Sequence, residues 1–240
     1  MTKIDVSFLL PTNRAQTYPQ ILSTCIDSIN AQHADISHEI LVYSQDPVEG
    51  ENVKWIQEEG RTGPIRGFNY MASELARGDY IACITDDQAI QNSIMECINV
   101  VEGPLYQDRV FKIIGINCGG RQALSQDCPI PNRGKNFGHS VISEYLPNAF
   151  TLRYPVVRKD TLSQHLSNHI FHPDLFYHAG DIWLGYFLCC NAEPSWEGPT
   201  ALMDIARLKD NITEVEDCDT VYKLIKNHIA GCPDYIPSDY

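Results

Sequence analysis

Two adjacent carboxylates, Asp86 and Asp87, follow directly on the β-rich run Tyr80-Ile-Ala-Cys-Ile-Thr85. In open parallel sheets ligands bind beyond the carboxyl ends of the strands. Neighbouring carboxylates at such an edge repel each other unless a cation neutralises them. Hard divalent ions such as Mg²⁺ or Mn²⁺ suit oxygen ligands. An ion held there can bind a diphosphate and stabilise it as a leaving group. A plainer reading stands beside this one, in which Asp86 opens a turn and caps the helix after it.

The elements that position the pair alternate in type. Val6 to Leu10 is a short apolar run stopped by Pro11, a buried strand. Over Tyr18 to Gln32 the residues Leu22, Cys25, Ile26 and Ile29 recur at helical spacing. His38 to Tyr43 gives a second strand, and Val53 to Ile56 a short third one. A helix is predicted over Gly67 to Ala76, with Phe68, Met71, Ala72 and Leu75 on one face and a stop at Arg77-Gly78. The strand Asp79 to Ile84 then leads into the acidic pair. A helix over 92–101 and a strand from Val110 to Asn117 follow. This rhythm predicts an α/β fold with a mostly parallel sheet covered by helices. Residues 118–150, rich in Gly, Pro and Asn, break it; a loop of that length is functional or disordered. Order is expected again in a strand at Tyr154 to Val157 and in helices at Lys159 to Ser167, Asp181 to Cys190 and Asp219 to His228.

The 240 residues suffice for one large domain, 1–240, or two small ones. A formal net charge of −13 excludes the basic face that a nucleic-acid partner requires. No run approaches the roughly 20 apolar residues of a membrane span, and Val6 to Leu10 is too short for a secretion signal, so a cytoplasmic chain without a transmembrane segment is expected. Nine cysteines with no C-x-x-C spacing read as reduced, buried thiols.

Four segments in order resemble glycosyltransferase family 2, in its non-processive form: VSFLLPTNRAQTYPQILSTCIDSINAQ, HEILVYSQD, Gly63-Pro-Ile-Arg-Gly-Phe-Asn69 with MASELARGDYIACITDDQ, and Tyr177-His-Ala-Gly-Asp-Ile-Trp-Leu-Gly-Tyr-Phe187. The first three cover residues 4–88 and are specific as an ordered set. The resemblance implies a GT-A, Rossmann-like nucleotide-diphospho-sugar transferase fold, mostly parallel with helices on both faces. Residues 1–117 would form the nucleotide-sugar-binding half and 118–240 the acceptor-binding half. It implies an inverting transfer of one sugar from a nucleoside-diphosphate sugar donor to a saccharide or glycan-precursor acceptor, with Mn²⁺ or Mg²⁺. Pro11, Thr12, Asn13 and Arg14 would line the donor nucleotide, and Arg66 and Asn69 the diphosphate or nucleotide. Asp86 and Asp87 would be the acidic motif, with Asp87 the metal ligand and His178 its candidate partner. Asp181 would be the base that takes the acceptor's proton.

The sequence departs from the family's pattern at three points. Tyr43-Ser44-Gln45-Asp46 stands where a nucleobase-binding Asp is usual, so Ser44 or a shifted Asp46 takes that place. Thr85 stands at the first acidic position of D-x-D, where it can bond a ribose or a water. Gly180-Asp181 replaces Glu-Asp. The Q-x-x-R-W signature of processive synthases is absent, and the loop PTNRAQTYP lacks the glycines of a sugar-nucleotide pyrophosphorylase. The departures keep open a catalytically inactive nucleotide-sugar or glycan-binding module of the same fold. His169 and His172 are expected to bond local backbone. Trp183, Tyr186 and Phe187 form a stripe expected in the core. Trp196 is a possible sugar-stacking ring; Arg121, Arg133 and Lys135 are expected in a solvated loop, and the acidic run 214–219 at the surface.

Overall fold

Strands form where the apolar runs are continuous rather than alternating, as expected for a sheet covered on both faces. β1 (Val6–Pro11) and β2 (His38–Ser44) are buried at every position. β3 (Val53–Gln57), β4 (Tyr80–Cys83), β5 (Gln88–Ile90), β6 (Ile113–Arg121), β7 (Pro155–Arg158) and β8 (Glu197–Asp204) complete one sheet in the order β3-β2-β1-β4-β7-β6-β8-β5. β3, β2, β1 and β4 run parallel. β7 is antiparallel to β4 and β6, β8 is parallel to β6, and β5 is antiparallel to β8. The computed structural model describes residues 3–60, 62–121, 152, 154–175, 180–190, 197–205 and 223–224.

Successive strand residues point to opposite faces, and the core divides accordingly. Leu9, Leu41, Ile81 and Val157 pack with α2 (Pro64–Tyr70), α4 (Lys159–His165) and α5 (Gly180–Cys190). Phe8, Leu10, Ile40, Val42 and Ala82 pack on the other face with α1 (Pro19–Gln32) and α3 (Met95–Glu102). α1 buries Leu22, Cys25, Ile26 and Ile29, the residues whose spacing predicts it. On α5, Tyr186 is buried, and Trp183 and Phe187 pack against the same core.

The chain differs from the sequence expectation in three places. α2 begins at Pro64, three residues early, because Gly63 adopts φ 86° and Pro64 supplies a preset first helical residue. The helix then widens over Met71–Leu75, where Ala76 N–H bonds Met71 O at 2.8 Å, five residues back. Arg77-Gly78 is no helix stop: Arg77 N–H turns to Glu39 Oε1 at 2.8 Å. At Gly78 an added Cβ would stand 2.5 Å from Ser7 N, so only glycine lets these backbones meet. Finally, β5 and β8 arise where no strand is expected. β5 has three residues, and the β6–β8 ladder is irregular between Glu197 and Thr200, where the sequence carries Gly198 and Pro199.

Residues 118–121 of the long expected loop extend β6, and its remainder lies outside the described residues, as do His178, Trp196 and the run 214–219. Of the helix expected at 219–228 only Lys223 and Leu224 are described, both helical. Among the described residues no helix is long and apolar enough to cross a membrane.

Candidate active site

The chain lays β2 and β3 on one side of β1 and returns to lay β4 on the other. This reversal leaves a crevice between the carboxyl ends of β1 and β4, the place where open α/β sheets take ligands. Thr12 and Arg14 leave β1 there, and Asp86 and Asp87 leave β4. Thr12 Oγ1 donates to Asp86 Oδ2 at 2.5 Å and accepts from Arg14 N at 3.1 Å. Arg14 Nε donates to Asp86 Oδ2 at 3.1 Å, and its Nη2 pairs with Asp86 Oδ1. The Asp86 side chain is 4% exposed and that of Arg14 16%. The cation that quenches Asp86 is therefore a side chain of the protein. Asp87 is half-buried and accepts from Thr85 Oγ1 at 2.7 Å, while its carbonyl anchors Ile205 N at 2.9 Å. Thr85 thus braces the second carboxylate. Beneath the pair, the Cys25 thiol lies 3.7 Å from Thr85 O. Burial, then the charges of Asp86 and Asp87, push this thiol well above its ordinary range, so it stays protonated.

Three loops on this rim are laced together. After β2, Ser44 Oγ donates to Asp46 O at 2.6 Å and accepts from the Trp55 indole at 3.1 Å. Asp46 Oδ1 accepts from Gln16 Nε2 at 2.8 Å, joining the β1 and β2 loops. After β3, buried Glu58 accepts from Thr62 N at 2.7 Å, Thr62 Oγ1 at 2.9 Å and Gly63 N at 3.3 Å. Tyr43 Oη meets Thr62 Oγ1 at 3.1 Å. These bonds fix the turn that starts α2. α2 then lies against the ends of β1 and β2: a Cβ on Gly67 would come 2.8 Å from Tyr43 and 3.1 Å from Pro11. Asn13 and Arg66 are exposed on this rim, in the β1 loop and the first turn of α2.

Asp181 stands in the first turn of α5, next to Gly180, whose packing ties that turn to the start of α2. A Cβ on Gly180 would stand 2.7 Å from both Ile65 of α2 and Phe171. Phe171 is itself held by Asn69, whose Nδ2 donates to Phe171 O at 2.9 Å and whose Oδ1 accepts from Phe171 N at 3.0 Å. Asn69 therefore ties α2 to the segment that leads into α5. His169 Nδ1 bonds Ser167 O at 2.8 Å, and His172 Nδ1 accepts from Asp174 N at 3.2 Å, the local bonding expected of both.

Glu58, Thr62, Gln16 and Trp55 were not singled out by the sequence. The usable signal for Glu58 was a carboxylate at a strand end followed by Gly60 and Gly63-Pro64. Among the described residues no three His, Cys, Asp or Glu side chains converge on one point. A Mg²⁺-like ion needs only one or two protein carboxylates when substrate phosphates and water supply the rest. Asp87, braced by Thr85, fits that requirement as a single ligand.

Solved structures of the same shape share little sequence with this chain. A fragment of S. aureus TarS, 1–349, in complex with UDP-GlcNAc aligns over 94% of this chain and 66% of its own, at TM-score 0.58 and 17% identity. The fold is that of the GT-A glycosyltransferases. GalNAc-T7 with UDP, GalNAc and Mn²⁺ aligns over 94% of this chain and 48% of its own, at TM-score 0.57 and 11% identity. The mannosyltransferase PcManGT from Pyrobaculum calidifontis, with GDP-Man and Mn²⁺, aligns over 100% of this chain and 67% of its own, at TM-score 0.54 and 13% identity. The chain spans just under two thirds of the TarS fragment and 40% of a longer TarS chain. No protein-family model matches the sequence, and no curated protein matches it.

Proposed function

We propose that this GT-A-fold protein transfers one sugar from a nucleoside-diphosphate sugar to a saccharide or glycan-precursor acceptor, with inversion, and belongs with the non-processive family 2 enzymes its motifs resemble. The observation that carries the reading is the switch point between β1 and β4, where an acidic pair at the end of β4 meets a polar loop at the end of β1. Pro11, Thr12, Asn13 and Arg14 form one wall for the donor and Arg66 another. Asp46, reaching across to Gln16, is better placed for a nucleobase than Ser44, whose hydroxyl is engaged with Asp46 O and Trp55. Asn69 acts by holding Phe171, and through it the approach to α5. Asp181 takes the acceptor hydroxyl's proton as the new C–O bond forms and the bond to the diphosphate breaks. Asp87, with His178 as the second candidate ligand, would hold Mn²⁺ or Mg²⁺, which supplies positive charge against the leaving nucleoside diphosphate. Residues 118–240 supply the acceptor side, and the protein acts in the cytoplasm.

Thermal stability of the purified chain with UDP, GDP, CDP and dTDP, each with and without Mn²⁺, tests this. A ligand at a hundredfold excess over its Kd stabilises the native state by about 2.7 kcal/mol. A Mn²⁺-dependent shift with one nucleotide, lost in Asp87→Ala, is expected; no shift with any of them sinks the reading. The engagement of Ser44 and Asn69 with protein partners favours one rival, an inactive sugar-nucleotide-binding module. Turnover that disappears in Asp181→Asn while nucleotide binding persists rules out that rival.

A further inference from the structure

Glu58 is a buried carboxylate, 7% exposed, that the proposed transfer does not use. It follows the last residue of β3, and it is engaged at both ends. Its amide donates to Ser44 O at 2.9 Å, the carbonyl that closes β2 and also receives the Trp55 indole at 3.2 Å. Its Oε1 collects Thr62 N at 2.7 Å, Thr62 Oγ1 at 2.9 Å and Gly63 N at 3.3 Å. The Thr62 hydroxyl spends its proton on this carboxylate, so the Tyr43 hydroxyl, 3.1 Å away, must donate to Thr62 Oγ1. The Tyr43 ring lies against Gly67 of α2. Gly67 N donates to Gly63 O at 3.1 Å, and Gly63 N returns to Glu58. The contacts therefore close on themselves, from Glu58 through Thr62, Tyr43, Gly67 and Gly63 back to Glu58. Gly63 sits in the left-handed region at φ 86°. A glycine populates both signs of φ freely, so this turn needs an anchor from outside, and the carboxylate is that anchor.

We propose that Glu58 is a positioning residue that locks two walls of the nucleotide crevice into one body: the end of β2 with Ser44 and Asp46, and the first turn of α2 with Arg66. It acts through the backbone it holds rather than by touching the nucleotide. Without its carboxylate the Thr62 and Gly63 amides lose their acceptor and the turn into α2 loosens. A nucleotide must then order that turn as it binds, and the ordering cost is taken from affinity. The lost interaction is the same in the ground and transition states, so KM for the donor rises while kcat holds. That the ligand is a nucleoside-diphosphate sugar rests on the transferase reading; the joining of the two walls does not.

The full chain is compared as wild type, Glu58→Ala and Glu58→Gln by amide hydrogen exchange and by titration with UDP, GDP, CDP and dTDP in the presence of Mn²⁺. In Glu58→Ala the Gly63 and Gly67 amides should lose about tenfold in protection, while the amides of β1 and β2 keep theirs. A nucleotide that binds the wild type should bind about tenfold more weakly, the cost of one buried amide left without an acceptor. Donor turnover should show that rise in KM with kcat within about twofold. Glu58→Gln keeps an acceptor oxygen and should restore most of the affinity. A cooperatively melting Glu58→Ala with unchanged exchange at Gly63 and Gly67, or with unchanged affinity for a nucleotide that the wild type binds, overturns the proposal, and so does a fall in kcat at constant KM. If Glu58→Ala does not fold, Thr62→Val decides. It cuts the link to Tyr43 while leaving the amides bonded, and should speed exchange at Gly67 and weaken nucleotide binding by about threefold; no change in exchange overturns the proposal. A wild type that binds none of the four nucleotides removes the transferase reading, and the exchange pattern then decides the joining of the two walls by itself.

Discussion

Glu39 gives the sharpest test of how this chain holds its sheet together. It is the second residue of β2, with its side chain 5% exposed, and its carboxylate accepts from Ser7 Oγ at 2.7 Å, Arg77 N at 2.8 Å, Arg77 Nε at 3.0 Å and Arg77 Nη2 at 2.6 Å. Ser7 Oγ in turn accepts from Gly78 N at 2.8 Å, so one carboxylate joins β1, β2 and the approach to β4. Glu39→Ala strands the Ser7 hydroxyl and leaves the Arg77 amide only its 3.1 Å bond to Ser7 Oγ. Hydrogen bonds to a charged group contribute about 1.5–3 kcal/mol each when buried. The guanidinium arm is 57% exposed and is discounted for solvent screening. The buried Ser7 bond and the part-buried Arg77 amide bond together set the expected loss at about 3 kcal/mol, or a fall in Tm of roughly 6–12 °C for a chain of this size. Glu39→Gln should show where the charge matters. Burial pushes the Glu39 carboxyl up, but the bonds from Arg77 and Ser7 outweigh it and hold the group below its ordinary 4.5. The folded state therefore favours the ionised form. That stabilisation is complete at neutral pH and is lost as pH falls below 4.5 through the lower folded value. Urea unfolding from pH 7 to pH 3 checks it: the advantage of the wild type over Glu39→Gln must shrink with acid. A loss below about 1 kcal/mol in Glu39→Ala, at the level of a neutral surface contact, or a gap that does not change with pH, refutes the reasoning.

Three further outcomes are expected. Gly78→Ala places a Cβ within 2.8 Å of Ser7 N, Val6 C and Tyr80 O, all backbone, and should cost about 3 kcal/mol or prevent folding; denaturant midpoints decide. Gly180→Ala pushes on Ile65 and Phe171 and tilts the turn that carries Asp181. It should lower kcat by roughly 10–100-fold with the melting transition kept, and an unchanged kcat would disconnect Gly180 packing from the base. Buried His33 donates from Nδ1 to Ile29 O at 2.7 Å and accepts Ile94 N at Nε2 at 3.0 Å, so it is neutral, and burial lowers its pKa from 6.5. The unfolded chain takes up a proton that the folded one resists, so stability should fall as pH drops below 6.5 toward the lower folded value. His33→Gln should flatten that slope in the same urea series.

The first half of the fold was legible because its signals are local. Every residue of β1 and β2 is buried, so the strands read as unbroken apolar runs, and α1 buries one stripe at helical spacing. β5 and β8 escaped because three residues, or a run interrupted by Gly198-Pro199, carry no such pattern. The acidic pair was legible at the end of its strand, but its partner was not. Arg14 and Asp86 are 72 positions apart, and Asn69 and Phe171 are 102 apart. Which side chain meets which over such distances is set by strand order, and the reversal between β1 and β4 has no local signature. For the same reason Arg77 read as a cation ending a helix, while its amide closes onto Glu39.

The strand order also fixes when each edge is covered as the chain is made. β4 is complete at residue 83 and already lies on β1, yet its other neighbour, β7, ends at residue 158. At 5–20 residues per second those 75 residues (158 − 83) take about 4–15 s. Throughout that interval a nascent chain presents Tyr80 to Cys83 as an unpaired apolar edge, the kind of template that recruits other strands. Expression at lower temperature or with holding chaperones present should therefore improve soluble yield through this window, without any change in the stability of the finished fold.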